Sequence, residues 1–302
     1  MRYFYTPDTL FIRGKFRAAS TGIAGGIRDT ATIFNHSVPA DWSHDEPLKE
    51  IERIGAAAGY GPEVLGLLTA VPIPNLCVLQ YDFITVFVTA GMREHPPHGA
   101  GTVNIIVCSS EGLTDSALLE TIMVATEAKA EAMIGLHRDA GTPTDAVVAA
   151  CEGDVLHRYA GRIAEPGRRV RDAVLKGVPE ALRRYESGAT CEPAFFIYSR
   201  FNGEHWVAWS PHDCPYYPCH FEGQACDFCY CPFYPCKDET LGEWSKSAAS
   251  GKVWNCSRCT LLHEPAVADY VKQNPDAPLK ELKLLDQKQK NQKKLFLDPE
   301  RL

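Results

Sequence analysis

Hydrophobic positions along the chain change their period several times, and each change marks a different kind of element. At the start, YFYTPDTLFIRGKF sets aromatic and β-branched runs on either side of a turn signal, Thr6-Pro7-Asp8, and predicts strands. A glycine-rich turn, TGIAGGI (21–27), leads into the short apolar run ATIFNHSV, so residues 1–40 read as β-rich. DEPLKEIERIGAAAG and PEVLGLLTA are expected helices. Apolar runs over 75–91 and 101–110 predict strands, and helical spacing returns over 115–137. GTPTDAVVAAC (141–151) then predicts a strand, and residues 166–185 an amphipathic helix. Strands in runs, with helices interposed but no strict alternation, predict an α+β fold: a mixed β-sheet layered with helices.

A chain of 302 residues exceeds the size at which one core usually stops growing. SGATCEP (187–193) reads as a linker, which divides the sequence into a first domain (1–190), a cysteine-rich module (195–275) and a Lys-rich tail (276–302). The formal net charge of −7 argues against a nucleic-acid or anionic-membrane partner. With neither a signal-peptide pattern at the start nor a long apolar run, the expected location is the cytoplasm, with no membrane partner.

Eight of the twelve cysteines fall between 214 and 259, in the order Cys214, Cys219, Cys226, Cys229, Cys231, Cys236, Cys256 and Cys259. CPYYPC (214–219) returns as CPFYPC (231–236), and each C-x2-C pair can turn two thiolates toward one tetrahedral ion. Eight thiolates satisfy about two zinc ions with no position left for water, which makes the expected zinc structural. His205, His212, His220 and His263 could replace a thiolate, iron–sulfur clusters use cysteine quartets too, and a disulfide framework is the third reading. Aromatic residues among the cysteines suggest base stacking, but 195–275 holds six Lys/Arg against nine Asp/Glu, so packing around metal is the better account.

An ordered series of short segments carries a resemblance: TGIAGGI (21–27), FNHSVP (34–39), GLLTA (66–70), VTAGM (88–92), GTVNIIV (101–107), ATEAKAEAM (125–133), GTPTDAVVAAC (141–151) and YAGRIAEPGRRV (159–170). The series resembles the adenosylcobinamide amidohydrolase family of corrinoid salvage, and the C-terminal region is similar to a small cysteine-rich domain sometimes attached to it, chiefly in methanogenic archaea. The family's VTAGL-N pattern stands here as VTAGMREHPPHG, an altered loop. The resemblance implies hydrolysis of the amide joining aminopropanol to a corrin side chain, giving adenosylcobyric acid and 1-amino-2-propanol. A corrinoid-binding DxHxxG motif is absent, so the corrinoid partner is expected as substrate and not as cofactor.

Amide hydrolysis needs a nucleophile, a proton donor for the leaving amine, and donors for the developing oxyanion. On helix 115–137, Leu118, Ile122, Ala125, Ala132, Met133 and Leu136 form one stripe, and Lys129 falls within about 20° of its centre. A lysine aimed at a core needs a partner, and Asp145, preceded by Thr142 and Thr144, is the expected one. The group reads either as a structural ion pair or as a catalytic cluster with Asn104. Gly22, Gly25 and Gly26 could bring N–H groups to a substrate oxygen, or could simply form a turn. Asn35, His36, Thr89 and Thr102 are further substrate-binding candidates, as are Thr126 and Glu127 from the ATEAK motif, although the helical wheel turns Glu127 toward solvent with Glu120 and Glu131. Residues 1–190 contain no HExxH or similar motif, so no catalytic cofactor is expected. Two other readings remain open: a corrinoid-binding protein without hydrolase activity, and an adaptor whose cysteine-rich domain meets a protein partner.

Overall fold

The computed structural model describes residues 1–39, 41–42, 45–61, 63–92, 101–188, 192–199, 203–209, 217–229, 231–247, 251–274 and 276–296, except the side chains of 247, 251–253 and 291–296. The chain forms two compact units, Tyr3–Ser210 with Met1, and Pro211–Leu302 with Arg2.

The first unit is an α+β fold. In chain order it runs β1 (Arg2–Tyr5), β2 (Thr9–Ser20), β3 (Gly26–Ser37), α1 (Pro47–Ala57), β4 (Val64–Thr69), β5 (Cys77–Tyr81), β6 (Ile84–Gly91), β7 (Thr102–Ser109) and β8 (Gly112–Leu113). It continues with α2 (Asp115–Gly135), β9 (Ala146–Cys151), β10 (Val155–His157), α3 (Glu165–Ser187), β11 (Ala194–Ser199) and β12 (His205–Trp209). Ten strands make one mixed sheet in the order β12-β11-β5-β6-β7-β9-β2-β3-β4, with β1 on β2. β7 and β9 run parallel, as do β3 and β4, while β6 is antiparallel to β7.

Side chains on a strand alternate between faces, and this sheet buries both. On one face, Ile84, Val86 and Val88 of β6 and Val103, Ile105 and Val107 of β7 pack under Val124, Ala128 and Met133 of α2 and Val170, Val174 and Val178 of α3. On the other, Phe87 and Ile106 meet Leu10 and Ile12 of β2, Ile33 of β3 and Leu65 and Leu67 of β4, so the sheet curls back over itself. α1 covers the outside of the curled half through Ile51 and Ile54, which pack on Phe11, Phe34 and Val64. α2 begins at Thr114, whose side chain accepts from Ala117 N, and α3 stops at Gly188 in the left-handed conformation.

Three expectations change. PEVLGLLTA is not a helix: Val64–Thr69 is the edge strand β4, paired parallel to β3. A strand buried on both faces reads as one continuous apolar run, which removes the period of two. The 75–91 run is a hairpin, β5 and β6, turning at Asp82, whose φ is 52°. Strands β11 and β12, at the start of the stretch read as the cysteine-rich module, extend the large sheet beside β5.

In the second unit, β13 (Glu243–Ser247) and β14 (Gly251–Asn255) pair as a hairpin. Leu261, Leu262, Val267 and Val271 gather with Leu282 around α4 (Pro265–Gln273) and α5 (Leu279–Phe296), so the first turns of the Lys-rich tail belong to this core. Among the described residues no helix is long and apolar enough to cross a membrane.

The curled half tests the packing. At Gly66 a Cβ would stand 2.5 Å from Phe34 Cζ and 2.7 Å from Ile51 Cγ2, both on fully or nearly buried side chains. Gly66→Val is expected to lower the unfolding free energy by about 1–3 kcal/mol, read from the urea midpoint, by forcing α1 away from β4.

Candidate active site

Asp145 opens β9 and gathers three segments. Its Oδ1 accepts from Val103 N of β7 at 2.8 Å and from Thr142 Oγ1 at 2.6 Å, and its Oδ2 accepts from Thr142 N at 2.9 Å. The fourth donor is the Lys129 ammonium of α2. The two charged side chains are only 8% and 10% exposed, so each depends on the other for charge compensation. Gly141 makes room for them: a Cβ there would sit 2.6 Å from both Lys129 Nζ and Asp145 Oδ2. The inward lysine and its partner are where the helical spacing puts them, but the stripe around them is rotated. Ala117, Thr121, Val124 and Ala128 are buried, whereas Leu136 is exposed.

Beside Asp145, Thr144 Oγ1 donates to Gly101 O at 3.0 Å and lies 2.9 Å from Thr102 Oγ1. A hydroxyl has one hydrogen, so Thr102 is the donor to Thr144, and Thr144 keeps one acceptor lone pair. Thr102, Thr144 and Asp145 line a cleft of about 270 Å³ with Thr21, Gly22 and Ile23 from the β2–β3 turn and Gly66–Ala70 from the end of β4. Val38, Pro39, Trp42 and Pro47 line it as well. Five of the segments that carry the family resemblance therefore converge on one cavity: TGIAGGI, FNHSVP, GLLTA, GTVNIIV and GTPTDAVVAAC.

The remaining candidates divide by position. Asn35, Thr89 and Asn104 are buried behind the cleft wall. Asn104 Nδ2 donates to Asn35 Oδ1 and to Leu68 O, both at 3.0 Å, and Asn35 Nδ2 donates to Thr89 Oγ1 at 2.8 Å. This chain ties β3, β4, β6 and β7 across the fold of the curled sheet, and Asn104 Oδ1 has no hydrogen-bond partner among the described residues. Gly25 and Gly26 serve the turn itself. Gly25 N donates to Gly22 O at 3.0 Å, a Cβ on it would fall 2.2 Å from Ser20 O, and Gly26 has a φ of 88°. Of the three glycines only Gly22 lines the cleft.

Three candidates lie elsewhere. His36 alternates with Asn35 and faces the α1 side, where its Nδ1 is 2.6 Å from Thr9 Oγ1 and burial holds its pKa below the ordinary imidazole value. Thr126 is exposed on α2 and donates to Ile122 O at 2.8 Å, bonding its own helix. Glu127 is exposed on the same helix, 3.8 Å from Arg162 Nε. The altered loop after Met92 falls at 93–100, outside the described residues. Thr21 and Thr69 were not singled out from the sequence, yet both sit inside motif segments, which was the signal available for them.

In the second unit the described cysteines of the module, Cys219, Cys226, Cys229, Cys231, Cys236, Cys256 and Cys259, form no disulfide among the described residues, and Cys214 lies outside them. Each C-x2-C makes the same turn: Cys229 N donates to Cys226 O at 3.2 Å and Cys259 N to Cys256 O at 2.9 Å. Among the described residues no three His, Cys, Asp or Glu side chains stand at coordination spacing. His263 Nδ1 is 2.9 Å from Ala225 O and its ring lies 4.4 Å from that of His220, while His205 Nδ1 is engaged at Gly203 O. His212 lies outside the described residues.

Comparison with known proteins agrees with the cleft. Residues 6–190 match the family model for adenosylcobinamide amidohydrolase, and residues 205–286 match that of a cysteine-rich small domain. The adenosylcobinamide amidohydrolase of Methanosarcina mazei is 37% identical over 195 residues, covering 60% of this chain and 98% of that protein. The corresponding protein of Halobacterium salinarum is 30% identical over 187 residues, covering 55% of this chain and 80% of its own length. With the family model matching more than half of its length, residues 6–190, the chain belongs to the adenosylcobinamide amidohydrolase family.

Proposed function

We propose that the cleft hydrolyses the amide between a corrin side chain and aminopropanol in adenosylcobinamide, releasing adenosylcobyric acid and 1-amino-2-propanol. The observation that carries this reading is the convergence of five motif segments on one cavity, with a buried ammonium–carboxylate pair at its wall. A volume of about 270 Å³ is below the ~300–1,000 Å³ of pockets that enclose a whole drug-sized ligand. The amide arm enters, and the ring stays outside.

The chemistry then follows from the lining. A water that donates to the free lone pair of Thr144 Oγ1 attacks the amide carbon. One of its protons passes to the departing amine nitrogen as the C–N bond breaks, so nothing beyond water is consumed. Lys129 does not line the cleft. It fixes Asp145, which makes it a positioning residue. In the second unit we propose structural zinc on the cysteine thiolates, since a donor set of thiolates alone leaves no coordination place for substrate.

Purified protein is expected to release 1-amino-2-propanol from adenosylcobinamide without added metal or nucleotide, followed by mass spectrometry. Tight corrinoid binding without product would favour a binding protein instead. Thr144→Val should lower turnover about 100-fold at unchanged stability. Lys129→Met should lower it at least as far and also cost about 3–5 kcal/mol, because Asp145 is left buried without its counter-charge. Lys129→Met/Asp145→Asn removes both charges and should recover part of that stability but no turnover. An active double variant would make the pair purely structural. Glu127→Gln, on the exposed face of α2, should be silent in both measurements.

A further inference from the structure

Two segments of the resemblance, ATEAKAEAM on α2 and YAGRIAEPGRRV beside it, do not line the cleft, and the surface they occupy is apolar. We propose that two copies of the chain meet on this surface, α2 of one packed antiparallel on α2 of the other about a two-fold axis near Thr126 and Glu127.

Helical spacing builds the face. Leu119, Met123, Thr126, Ala130 and Ile134 fall within an arc of about 80° on α2, at the steps of four and three residues that make a helix–helix seam. Leu119, Met123 and Ile134 are 49%, 60% and 59% exposed. Thr126 presents its methyl, because its hydroxyl is bonded to Ile122 O at 2.8 Å. The inward side of α2 already packs on the sheet, so this helix is apolar on two sides, which a purely solvated outer face does not require.

Residues 158–163 widen the face by running alongside α2. Thr114 Oγ1 donates to Arg158 O at 3.0 Å, Ala160 N donates to Glu120 Oε2, and Arg162 Nε stands 3.8 Å from Glu127. Tyr159 and Ile163 are thereby held beside the seam at 68% and 99% exposure. β10, paired with β8 just ahead of the helix, adds the exposed Val155 and Leu156. Such a set exposes on the order of several hundred Å², the scale of the largest patch a monomer carries and close to the ~800 Å² per partner of a stable interface.

A second copy fits this face in shape and charge. Leu119 and Ile134 lie equally far from the helix midpoint between Thr126 and Glu127, and so do Met123 and Ala130. An antiparallel pair therefore sets each Leu119 against Ile134 of the second copy and each long Met123 over a small Ala130. A parallel pair would stack methionine on methionine and alanine on alanine, a clash beside a gap. The whole chain carries −7, which opposes self-association in general. On this face the acids are matched, Glu127 by Arg162 and Glu131 by Arg171. Near the axis each Arg162 can serve the Glu127 of either copy, so opposite charges stay together across the contact.

The test uses the full chain. The residues changed are exposed in a single copy, so folding should survive, and near-UV circular dichroism checks it. Sedimentation velocity over the micromolar range should give wild type at twice the mass of one chain. Met123→Arg should raise the dimer dissociation constant about 100-fold or more, because a charge would be buried over Ala130 of the second copy. Leu119→Lys and Ile134→Glu should each weaken the dimer, and Leu119→Lys/Ile134→Glu should bind more tightly than either single variant. The antiparallel register brings the new ammonium and carboxylate together between copies, whereas within one helix they stand about 22 Å apart. Wild type at single-chain mass would leave the face to a different protein and overturn the proposal. A dimer indifferent to Met123→Arg would place the contact elsewhere and overturn it as well. A dimer broken by Met123→Arg, without recovery in the double variant, would overturn the antiparallel pairing on which it rests.

Discussion

The first unit depends on one buried charge pair. Asp145 takes hydrogen bonds from a lysine of α2, the backbone of β7 and both the backbone and the side chain of Thr142, so a single carboxylate joins a helix to the ends of two parallel strands. Four donors satisfy nearly all its acceptor capacity, which is the condition under which a carboxylate can be withdrawn from water. The place where the pair sits explains its presence better than stability does, because apolar residues would fill the same space at lower cost. It stands at the wall of the cleft, at the carboxylate side of which Thr144 and Thr102 are already oriented.

A second polar chain, through Asn104, Asn35 and Thr89, ties the curled sheet together directly behind that wall. Its members are fully or nearly fully buried, and Asn104 donates to the carbonyl of Leu68, itself a cleft residue. The position of β4 relative to β7, and with it the width of the cleft, is therefore set by hydrogen bonds of fixed length and direction as well as by apolar packing. A change at Asn104 would reach the substrate through Leu68, without any contact of its own.

The sequence made the strands of residues 1–40, the α2 and α3 helices and the Lys129–Asp145 pair legible, because each has a local signal: alternation, helical spacing, or a charge on an apolar stripe. The helical phase of α2 was legible only coarsely. Its buried face is dominated by alanines, which let the helix sit close to the sheet, while Leu119, Met123, Ile134 and Leu136 are exposed, so side-chain size misleads about which face is inside. β4 was hidden for the opposite reason, since burial on both faces erases alternation. At the site, several motif segments converge on one cleft, whereas the individual candidate residues divide between the cleft, the core and the surface. Neighbours in one motif, such as Asn35 and His36, point to opposite sides of a strand, and only the sheet's curl decides which side faces the cleft.

The two units also differ in what holds their polar groups. The first has apolar layers on both faces of a ten-stranded sheet, a core large enough to bear an ion pair and an asparagine network in its interior. The second gathers a much smaller buried cluster around α4 and α5, and its cysteines lie mostly at the boundary between core and solvent. A cluster of that size supplies little folding free energy by burial alone, and thiolates crowded together would repel one another. Under the zinc reading proposed for this unit, a divalent ion would offset that repulsion and cross-link the thiolates, which would couple folding of the unit to metal uptake.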